Sequence, residues 1–265
     1  MKYKGIICDL DGTLLNKEHT ITQETKDIIK KVIEKGVKFF IATGRHHCDA
    51  ITFKNMLELD SFLITSNGAK VHDYNNKEIL SNNISKELSK ELFQYKCNEK
   101  LHKNIYLNDK WYAESPLEGA LLFHKESGFH HDIVNFDTLV GNEATKFFFM
   151  CEDEECITNL EKDLKEKFST GLNITQSLST CLEVMKEGVS KASAIKEVLK
   201  REGLNSDEVI AFGDGLNDLE MLSFVGQGFI MGNGSKRLKE LLPNNEVIKT
   251  NEENGVAEKL KELFL

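Results

Sequence analysis

The sequence predicts an α/β protein whose parallel sheet, covered by helices on both faces, is interrupted by an α+β insert. Short apolar runs alternate with amphipathic helical patterns over about the first eighty residues and again over about the last eighty. Between them, hairpin signals and isolated strands are mixed with helices. Strands that alternate with helices of this length form parallel sheets, and the mixed middle is typical of an α+β unit.

The first part of the chain contains apolar runs that end in turn signals. Residues 5–8 form such a run and lead into Asp9-Leu10-Asp11-Gly12. Residues 22–35 carry their apolar side chains on one helical face, and Gly36 then ends the pattern. The other elements predicted here are strands at 37–42 and 62–65, a helix at 46–59 and a hairpin turn at Asn67-Gly68.

The last part of the chain resumes the same alternation. The pattern predicts helices at 190–202, 217–224, 235–242 and 255–265 and strands at 208–212, 228–231 and 246–249.

The middle of the chain has a different pattern. It predicts a long polar helix at 85–100, a hairpin at 105–113, a strand at 145–151, a charged helix at 153–168 and an extended segment at 173–185. The boundaries that follow are a first core segment at 1–81, a cap at 82–187 and a second core segment at 188–265.

Composition limits the classes of partner. The chain has 265 residues and a formal charge of −9, which argues against a nucleic-acid partner but not against a small phosphorylated ligand. We expect no membrane partner, because no run approaches the roughly 18 apolar residues of a membrane span. The six cysteines form no C-x-x-C pair and no secretion signal is evident, which predicts reduced thiols in a cytoplasmic protein.

Acidic residues follow the strands at both ends of the chain. Asp9 and Asp11 follow the first strand, and Asp214 and Asp218 follow the strand at 208–212. Ligands of open α/β sheets bind outside the carboxyl ends of the strands, so these four carboxylates should share one crevice. Carboxylates held so close repel one another, and a bound cation removes the conflict.

The residue types favour magnesium and a phosphoryl group. Oxygen-only ligands without a nearby His or Cys favour Mg²⁺. Lys191 opens the helix before the Asp214 strand, and Thr43 adds a hydroxyl at the end of another strand. Metal, lysine, hydroxyl and helix N-terminal amides suit a phosphoryl group, and a carboxylate can act as its nucleophile.

Over its whole length the chain resembles haloacid dehalogenase (HAD) superfamily phosphatases of the Cof-type subfamily IIB, which includes sugar phosphatases. The resemblance is carried by four motifs that occur in the order typical of the family: Asp9-Leu10-Asp11-Gly12-Thr13-Leu14, Thr43-Gly44-Arg45, Lys191, and Gly213-Asp214 with Asn217-Asp218. Two further segments, Ser66-Asn67-Gly68-Ala69 and Asn254-Gly255-Val256, also match the pattern of this branch. It implies a Rossmann-like, HAD-like core with an inserted cap domain of the C2B type.

The resemblance implies roles for the residues of the first two motifs. Asp9 is the nucleophile and a Mg²⁺ ligand. Asp11 is the general acid and then the base, and its backbone carbonyl contributes to the metal. Thr43 and the Gly44 amide hold the phosphoryl oxygens. Arg45 either touches the ligand or pairs with an acidic residue.

It likewise implies roles for the later motifs. Lys191 offsets the charge of Asp9 and the phosphoryl group, and Asp214 is a metal ligand. Asn217 contacts the phosphoryl group, and Asp218 supports the metal shell or Lys191. Asn67 supports the site or is only a hairpin residue.

Motif spacing indicates where the cap is inserted. Thr43 follows Asp9 by only 34 positions, and a helix and a strand occupy most of them. Lys191 follows Thr43 by 148 positions, which is ample for the insert at 82–187. Caps of the family occur at these two points, so this one resembles the second, larger type, which closes over the crevice.

The function expected is a Mg²⁺-dependent phosphatase that hydrolyses small phosphorylated metabolites, with sugar phosphates as the substrate class, through an aspartyl-phosphate. Two alternatives stay open, a phosphomutase similar to phosphomannomutases and a non-catalytic sensor of a phosphorylated ligand. We expect a monomer or a weak homodimer.

Overall fold

The computed structural model describes residues 2–117 and 119–265. The strands in these residues are β1 (Gly5–Cys8), β2 (Lys38–Ala42), β3 (Leu63–Thr65), β4 (Lys70–His72), β5 (Glu78–Ser81), β6 (His102–Leu107), β7 (Lys110–Ala113), β8 (His131–Ile133), β9 (Lys146–Met150), β10 (Leu172–Leu178), β11 (Cys181–Lys186), β12 (Val209–Gly213), β13 (Gln227–Ile230) and β14 (Glu246–Val247).

The α-helices in the described residues are α1 (Gln23–Glu34), α2 (His47–Met56), α3 (Lys86–Phe93), α4 (Ala120–Phe123), α5 (Glu154–Lys167), α6 (Lys191–Glu202), α7 (Leu219–Phe224), α8 (Lys236–Leu241) and α9 (Gly255–Phe264). Within these residues, no helix combines the length and the apolar character that crossing a membrane requires.

The larger sheet places β1 at its centre. Its strand order is β14-β13-β12-β1-β2-β3-β4-β5, and the strands from β14 to β3 are parallel. β3, β4 and β5 pair antiparallel, so the turn predicted at Asn67-Gly68 is confirmed. Because β12, β1 and β2 are parallel neighbours, the loops that follow them meet at one edge of the sheet.

Alternation along the strands divides the core between the two faces of the sheet. Ile6 and Cys8 pack with α1 and α9 on one face, whereas Ile7 packs with α6 and α7 on the other. Helix α1 begins where Thr22 accepts a hydrogen bond from the Thr25 amide. The mixed α/β architecture with a parallel core sheet, expected from the alternating pattern, is therefore confirmed.

The smaller sheet has the order β10-β11-β9-β6-β7-β8 and is antiparallel except between β7 and β8. Helices α3 and α5 cover one face of this sheet, and Phe147 and Phe149 are buried beneath them. Phe148 lies on the opposite face, as the period of two along a strand requires. We propose the residues from 82 to 187 as the cap, with the core on either side.

One sequence prediction in the cap is wrong and another is incomplete. The helix predicted at 85–100 ends with α3 at Phe93, because the Lys103 ammonium donates hydrogen bonds to the Leu92, Phe93 and Tyr95 carbonyls that a longer helix would use. The segment predicted to be extended at 173–185 is confirmed as extended, and it consists of two strands, β10 and β11, that form a hairpin turning after Leu178.

Stability should depend on the aromatic packing at the centre of the larger sheet. Phe212 is fully buried and stacks on Phe229 with 5.2 Å between ring centroids. Phe212→Ala should lower the free energy of unfolding by about 3–5 kcal/mol in urea denaturation, because it leaves a cavity. Leu241→Ala, at a residue that is 51% exposed, is the matched control and should cost less than about 1 kcal/mol. Equal losses in the two variants would contradict this packing.

Candidate active site

Three carboxylates converge where β1 and β12 end. One oxygen of each of Asp9, Asp214 and Asp218 lies within 4.8 Å of the other two. The Asp9 amide donates to the Phe212 carbonyl at 3.1 Å, which places the end of β1 beside the end of β12. Parallel pairing of the two strands therefore produces the convergence that the motifs predicted.

A buried lysine ties two of these carboxylates together. Lys191 is fully buried, and its ammonium donates to Asp9 Oδ1 at 2.7 Å and to Asp218 Oδ1 at 2.6 Å. Burial alone would lower the pKa of Lys191, but the Asp218 and Asp9 charges raise it above its usual value. Lys191 therefore stays charged in this position and fixes both partners.

Asp218 is held by its second oxygen as well. Asp218 Oδ2 accepts hydrogen bonds from the Asp214 amide at 2.9 Å and from the Gly215 amide at 3.0 Å. With Lys191 on the other oxygen, both oxygens of this carboxylate are engaged. The arrangement suits Asp218 to orienting Lys191 and the loop after β12.

The other two carboxylates keep oxygens available. Asp9 offers Oδ2, and Asp214 accepts only from the Thr13 hydroxyl, at 3.1 Å to Oδ1, among the side-chain hydrogen bonds of the described residues. Burial raises the pKa of Asp9 to about 7 against the effect of Lys191, and burial with the Asp9 and Asp218 charges raises that of Asp214. The two carboxylates are buried, and ionising both at once is unfavourable. Their oxygens therefore form a donor set that fits a hard divalent cation.

The loop after β1 requires glycine at position 12. Gly12 has φ of +71°, and a β-carbon there would collide with the Asp214 carboxylate. Only glycine adopts this conformation without strain while leaving that space. The turn therefore brings the backbone of the first motif against the acidic pair.

Asp11 turns its side chain toward Arg45. The guanidinium donates to both Asp11 oxygens, through Nε at 2.7 Å and Nη2 at 2.6 Å. Burial opposes ionisation of Asp11, but the charge and hydrogen bonds of Arg45, with those of His19, lower the pKa of Asp11 well below its usual range. Of the two roles left open for Arg45, the pairing with an acidic residue is the one present here.

Arg45 also connects Asp11 to the cap. Its Nη1 donates to Asp49 Oδ2 at 2.9 Å, and the fully buried Asp49 is bonded in turn to His124 Nδ1 at 2.7 Å and to the Ser127 hydroxyl. His124 and Ser127 belong to the cap, whereas Asp49 lies on α2 of the core. A continuous series of hydrogen bonds thus joins the Asp11 carboxylate to His124 and Ser127.

In the second motif, Thr43-Gly44-Arg45, Gly44 lines the cavity whereas Thr43 lies in the interior. Gly44 lines the cavity beside Asp9 and Asp11. Thr43 is fully buried, and its hydroxyl accepts from the Arg45 amide at 3.1 Å. The structure therefore brings the Gly44 backbone, rather than the Thr43 hydroxyl, to the surface of the cavity.

Asn67 and Asn217 meet at the same edge. Asn217 lines the cavity, and its Nδ2 donates to Asn67 Oδ1 at 3.0 Å. Asn67 is buried, with φ of +55°, and its Nδ2 donates to the Glu183 carboxylate of the cap. Asn67 is thus both the turn residue that the sequence favoured and a connection between core and cap.

The cap contributes a buried ion pair that no motif indicated. Lys146 Nζ lies 2.5 Å from Glu183 Oε1 and also donates to the Gly44 carbonyl at 2.6 Å. Lys146 and Glu183 are 2% and 4% exposed. The only signal in the sequence was a charged residue next to apolar ones in each of two strands, Lys146 at the start of β9 and Glu183 inside β11.

One cavity joins these groups. It measures about 330 Å³, and Asp9, Asp11, Asp214 and Asn217 lie on its core side. On its cap side the lining residues are Tyr106, Trp111, Leu117, Gly119, Leu122, Phe123, His124, Lys146, Phe148, Met150, Ser177, Leu178, Cys181 and Glu183. Four predicted residues do not line the cavity but are hydrogen-bonded to residues that do. Lys191 is bonded to Asp9, Asp218 to the Asp214 amide, Thr43 to the Arg45 amide and Asn67 to Asn217.

Comparison with known proteins agrees with this architecture. The family model described as haloacid dehalogenase-like hydrolase matches residues 6–260. A Haemophilus influenzae protein named "Putative phosphatase" is 37% identical over all of this chain and 98% of its own length. The HMP-PP phosphatase of Serratia proteamaculans is 32% identical over 98% of this chain and 94% of its own length.

Solved structures share the fold over nearly the whole chain. A haloacid dehalogenase-like hydrolase from Bacteroides thetaiotaomicron superposes with a TM-score of 0.80 at 26% identity and covers 99% of this chain and 100% of its own. A HAD subclass IIB sugar phosphatase superposes with a TM-score of 0.83 at 24% identity, over 98% of each chain, which shows the shared fold. The chain therefore belongs to the haloacid dehalogenase-like hydrolases, as a phosphatase of the HAD superfamily with a Rossmann-like core and an inserted cap.

Proposed function

We propose that the chain is a Mg²⁺-dependent phosphatase of small phosphorylated metabolites that works through an aspartyl-phosphate on Asp9. The observation that carries this proposal is the state of the Asp9 carboxylate. One of its oxygens is held by Lys191, and the residue opens into a cavity that Asp11 and Asp214 also line. A fixed carboxylate with a free oxygen is suited to in-line attack on phosphorus.

In the first step, Asp9 Oδ2 attacks the phosphorus while the leaving alkoxide takes a proton from Asp11. We assign binding of the phosphoryl oxygens to the Gly44 amide and the Asn217 side chain, since both residues line the cavity, and Lys191 would offset the charge of those oxygens. The P–O bond to the leaving group breaks as the O–P bond to Asp9 forms.

In the second step, Asp11 accepts a proton from water, which attacks the phosphorus and frees Asp9. The contact with Arg45 favours the ionised form of Asp11 that this step needs. For the first step Asp11 must carry a proton, so Arg45 has to exchange this contact for one with the entering phosphoryl group.

Asp9 and Asp214 would hold the metal, together with the Asp11 carbonyl. Mg²⁺ supplies charge neutralisation at the phosphoryl oxygens when bound. Asp218 would orient the metal ligand Asp9 through Lys191, and Thr13 would orient the metal ligand Asp214 through a hydrogen bond.

Relatives suggest two substrate classes. Proteins similar to this chain are named HMP-PP phosphatase and sugar phosphatase. A small phosphorylated metabolite of either class fits a cavity of about 330 Å³, which is at the lower end for small-molecule sites.

Asp9→Asn should abolish hydrolysis, because the amide is a poor nucleophile for phosphorus. We expect kcat to fall by a factor on the order of 10⁴ or more, measured as phosphate released from acetyl phosphate with Mg²⁺. Asp163→Asn on the exposed face of α5 is the matched control and should keep full activity. Circular dichroism should show both variants folded, and hydrolysis by folded Asp9→Asn would rule out this nucleophile.

Asp11→Asn should separate the two steps. Acetyl phosphate has a leaving group that needs little protonation, so Asp9 should still be phosphorylated, whereas water is no longer activated. Intact-protein mass spectrometry should then detect a phosphorylated chain that the unmodified protein does not accumulate. Release of phosphate at the unmodified rate would contradict the role of Asp11.

Removal of magnesium should cost both activity and stability. After EDTA treatment we expect no hydrolysis, and Mg²⁺ at about a hundredfold excess over its dissociation constant should raise the Tm by about 5 °C, because the ion binds only the folded chain. Asp214→Asn should shrink this rise, since one ligand is lost. A rise in Tm that is identical in Asp214→Asn and in the unmodified protein would place the ion elsewhere.

A further inference from the structure

The loop after β13 lies at the same edge of the larger sheet as the acidic residues. It has the sequence Met231-Gly232-Asn233-Gly234-Ser235 and precedes α8. Because β13 is parallel to β12, and β12 to β1, the three loops that follow these strands are neighbours. The loops after β1 and β12 carry the proposed metal ligands, so the loop after β13 is positioned to act on them.

Asn233 connects this loop to the backbone of the first motif. Its Nδ2 donates to the Gly12 carbonyl at 2.7 Å, and its Oδ1 accepts from the Asn251 amide at 3.0 Å. A backbone carbonyl only accepts and a backbone amide only donates, so the two contacts define the orientation of the side-chain amide. Asn251 donates in turn from its own side chain to the Leu15 carbonyl at 2.8 Å. The loop after β1 is therefore held at two of its carbonyls.

The loop after β13 is also bonded to the backbone of Asp214. The Ser235 amide donates to the Asp214 carbonyl at 2.9 Å, and the Gly234 amide donates to the Met231 carbonyl at 2.8 Å. A β-carbon on Gly234 would lie 2.9 Å from the Met231 carbonyl oxygen and 3.3 Å from that of Asp214. The backbone of the loop thus packs tightly against Asp214, which leaves little freedom in the distance between Asn233 and Asp214.

Two connections consequently join the loops after β1 and β12. One is direct, since the Thr13 hydroxyl donates to Asp214 Oδ1 at 3.1 Å. The other runs from the Gly12 carbonyl through Asn233 to the loop after β13 and on to the Asp214 carbonyl. Gly12 follows Asp11, whose carbonyl is a proposed metal ligand. Removing the Asn233 side chain would leave the peptide next to this ligand without its anchor.

The spacing of ligands matters more to magnesium than to calcium. Mg²⁺ needs nearly ideal octahedral geometry with oxygens at about 2.1 Å, whereas Ca²⁺ accepts irregular sets of oxygens at about 2.4 Å. Ligands held at a fixed spacing can therefore favour the smaller ion. If that spacing is relaxed, the affinity for Mg²⁺ should fall more than the affinity for Ca²⁺.

We propose that Asn233 is a positioning residue that fixes the spacing between the first-motif backbone and Asp214, and that it thereby sets the preference of the site for Mg²⁺ over Ca²⁺. This role rests on the proposed function, because it concerns the metal of the same site. Asn233 acts through the Gly12 carbonyl and is itself exposed, so its replacement leaves the core intact.

The test measures the affinity for each ion without substrate and without turnover. The Tm of EDTA-treated protein is followed as magnesium chloride or calcium chloride is added, and its rise gives a dissociation constant for each ion. Asn233→Ala removes both side-chain hydrogen bonds, and Asn233→Leu removes them while keeping the volume of the side chain. The Tm before metal is added reports the structural cost of each variant separately.

Asn245→Ala is the matched control. Asn245 Nδ2 donates to the Gly228 carbonyl at 3.0 Å, so this variant removes the same type of hydrogen bond from β13, away from the loop that follows the strand. It should lower the Tm of the metal-free protein and leave both dissociation constants within about twofold, because one such bond contributes modestly to stability.

We expect both Asn233 variants to raise the dissociation constant for Mg²⁺ about fivefold, the equivalent of one hydrogen bond, and to change that for Ca²⁺ by less than about twofold. The ratio of the calcium constant to the magnesium constant should therefore fall. An unchanged ratio in Asn233→Ala would overturn the proposal. An equal fall in Asn245→Ala would also overturn it, because any loosening of β13 would then suffice.

Failure of this role and failure of the proposed function give different results. If the ratio falls as expected but the unmodified protein with Mg²⁺ hydrolyses no acetyl phosphate, the phosphatase proposal fails and the role of Asn233 stands. If acetyl phosphate is hydrolysed and the ratio is unchanged in both Asn233 variants, the phosphatase stands and the role of Asn233 fails.

Discussion

The site depends on the neutralisation of buried negative charge at the carboxyl edge of the larger sheet. Three carboxylates meet there, and the only ammonium that contacts them among the described residues is that of Lys191. One positive charge cannot balance three negative ones, and burial raises the pKa of Asp9 to about 7. The remaining deficit is what suits the site to a divalent cation and to an anion that binds through it.

A series of hydrogen-bonded side chains connects the core to the cap. It runs from Asp11 to Arg45, on to Asp49 and then to His124 and Ser127. Buried pairs of this kind are costly to break singly, since the remaining partner is left without a counter-charge in a dry environment. Breaking any contact in this series would therefore disturb the environment of Asp11.

The core and its motifs were predictable from the sequence because local signals and strand order suffice there. Asp9 and Asp214 follow apolar runs, and parallel pairing of β1 with β12 makes their convergence a geometric consequence. The cap was less predictable. Lys103, on the following strand β6, ends α3 through its side chain, and the pairing of Lys146 with Glu183 depends on the order of strands in the smaller sheet.

Side-chain partners across the interface also lay beyond sequence reasoning. The sequence left Arg45 between a ligand contact and an ion pair. Asp49 follows Arg45 by only four residues, but the fold is needed to bring Asp11, 34 residues earlier, to the same guanidinium. Phe147, Phe148 and Phe149 looked alike as cap packing, yet alternation along β9 directs Phe148 alone of the three to the cavity. Which face of a strand meets the substrate is decided by tertiary packing.

The double displacement proposed through Asp9 is tested most directly by the stereochemical course at phosphorus. Each in-line displacement inverts the configuration, so two in sequence restore it. The substrate is a benzyl phosphate in which sulfur replaces one non-bridging oxygen and the other two are different oxygen isotopes, so that phosphorus is chiral. Hydrolysis in water of the third oxygen isotope gives a chiral product, and the configuration should be retained. Inversion would mean that water attacks the ester in a single step, and it would contradict the aspartyl-phosphate.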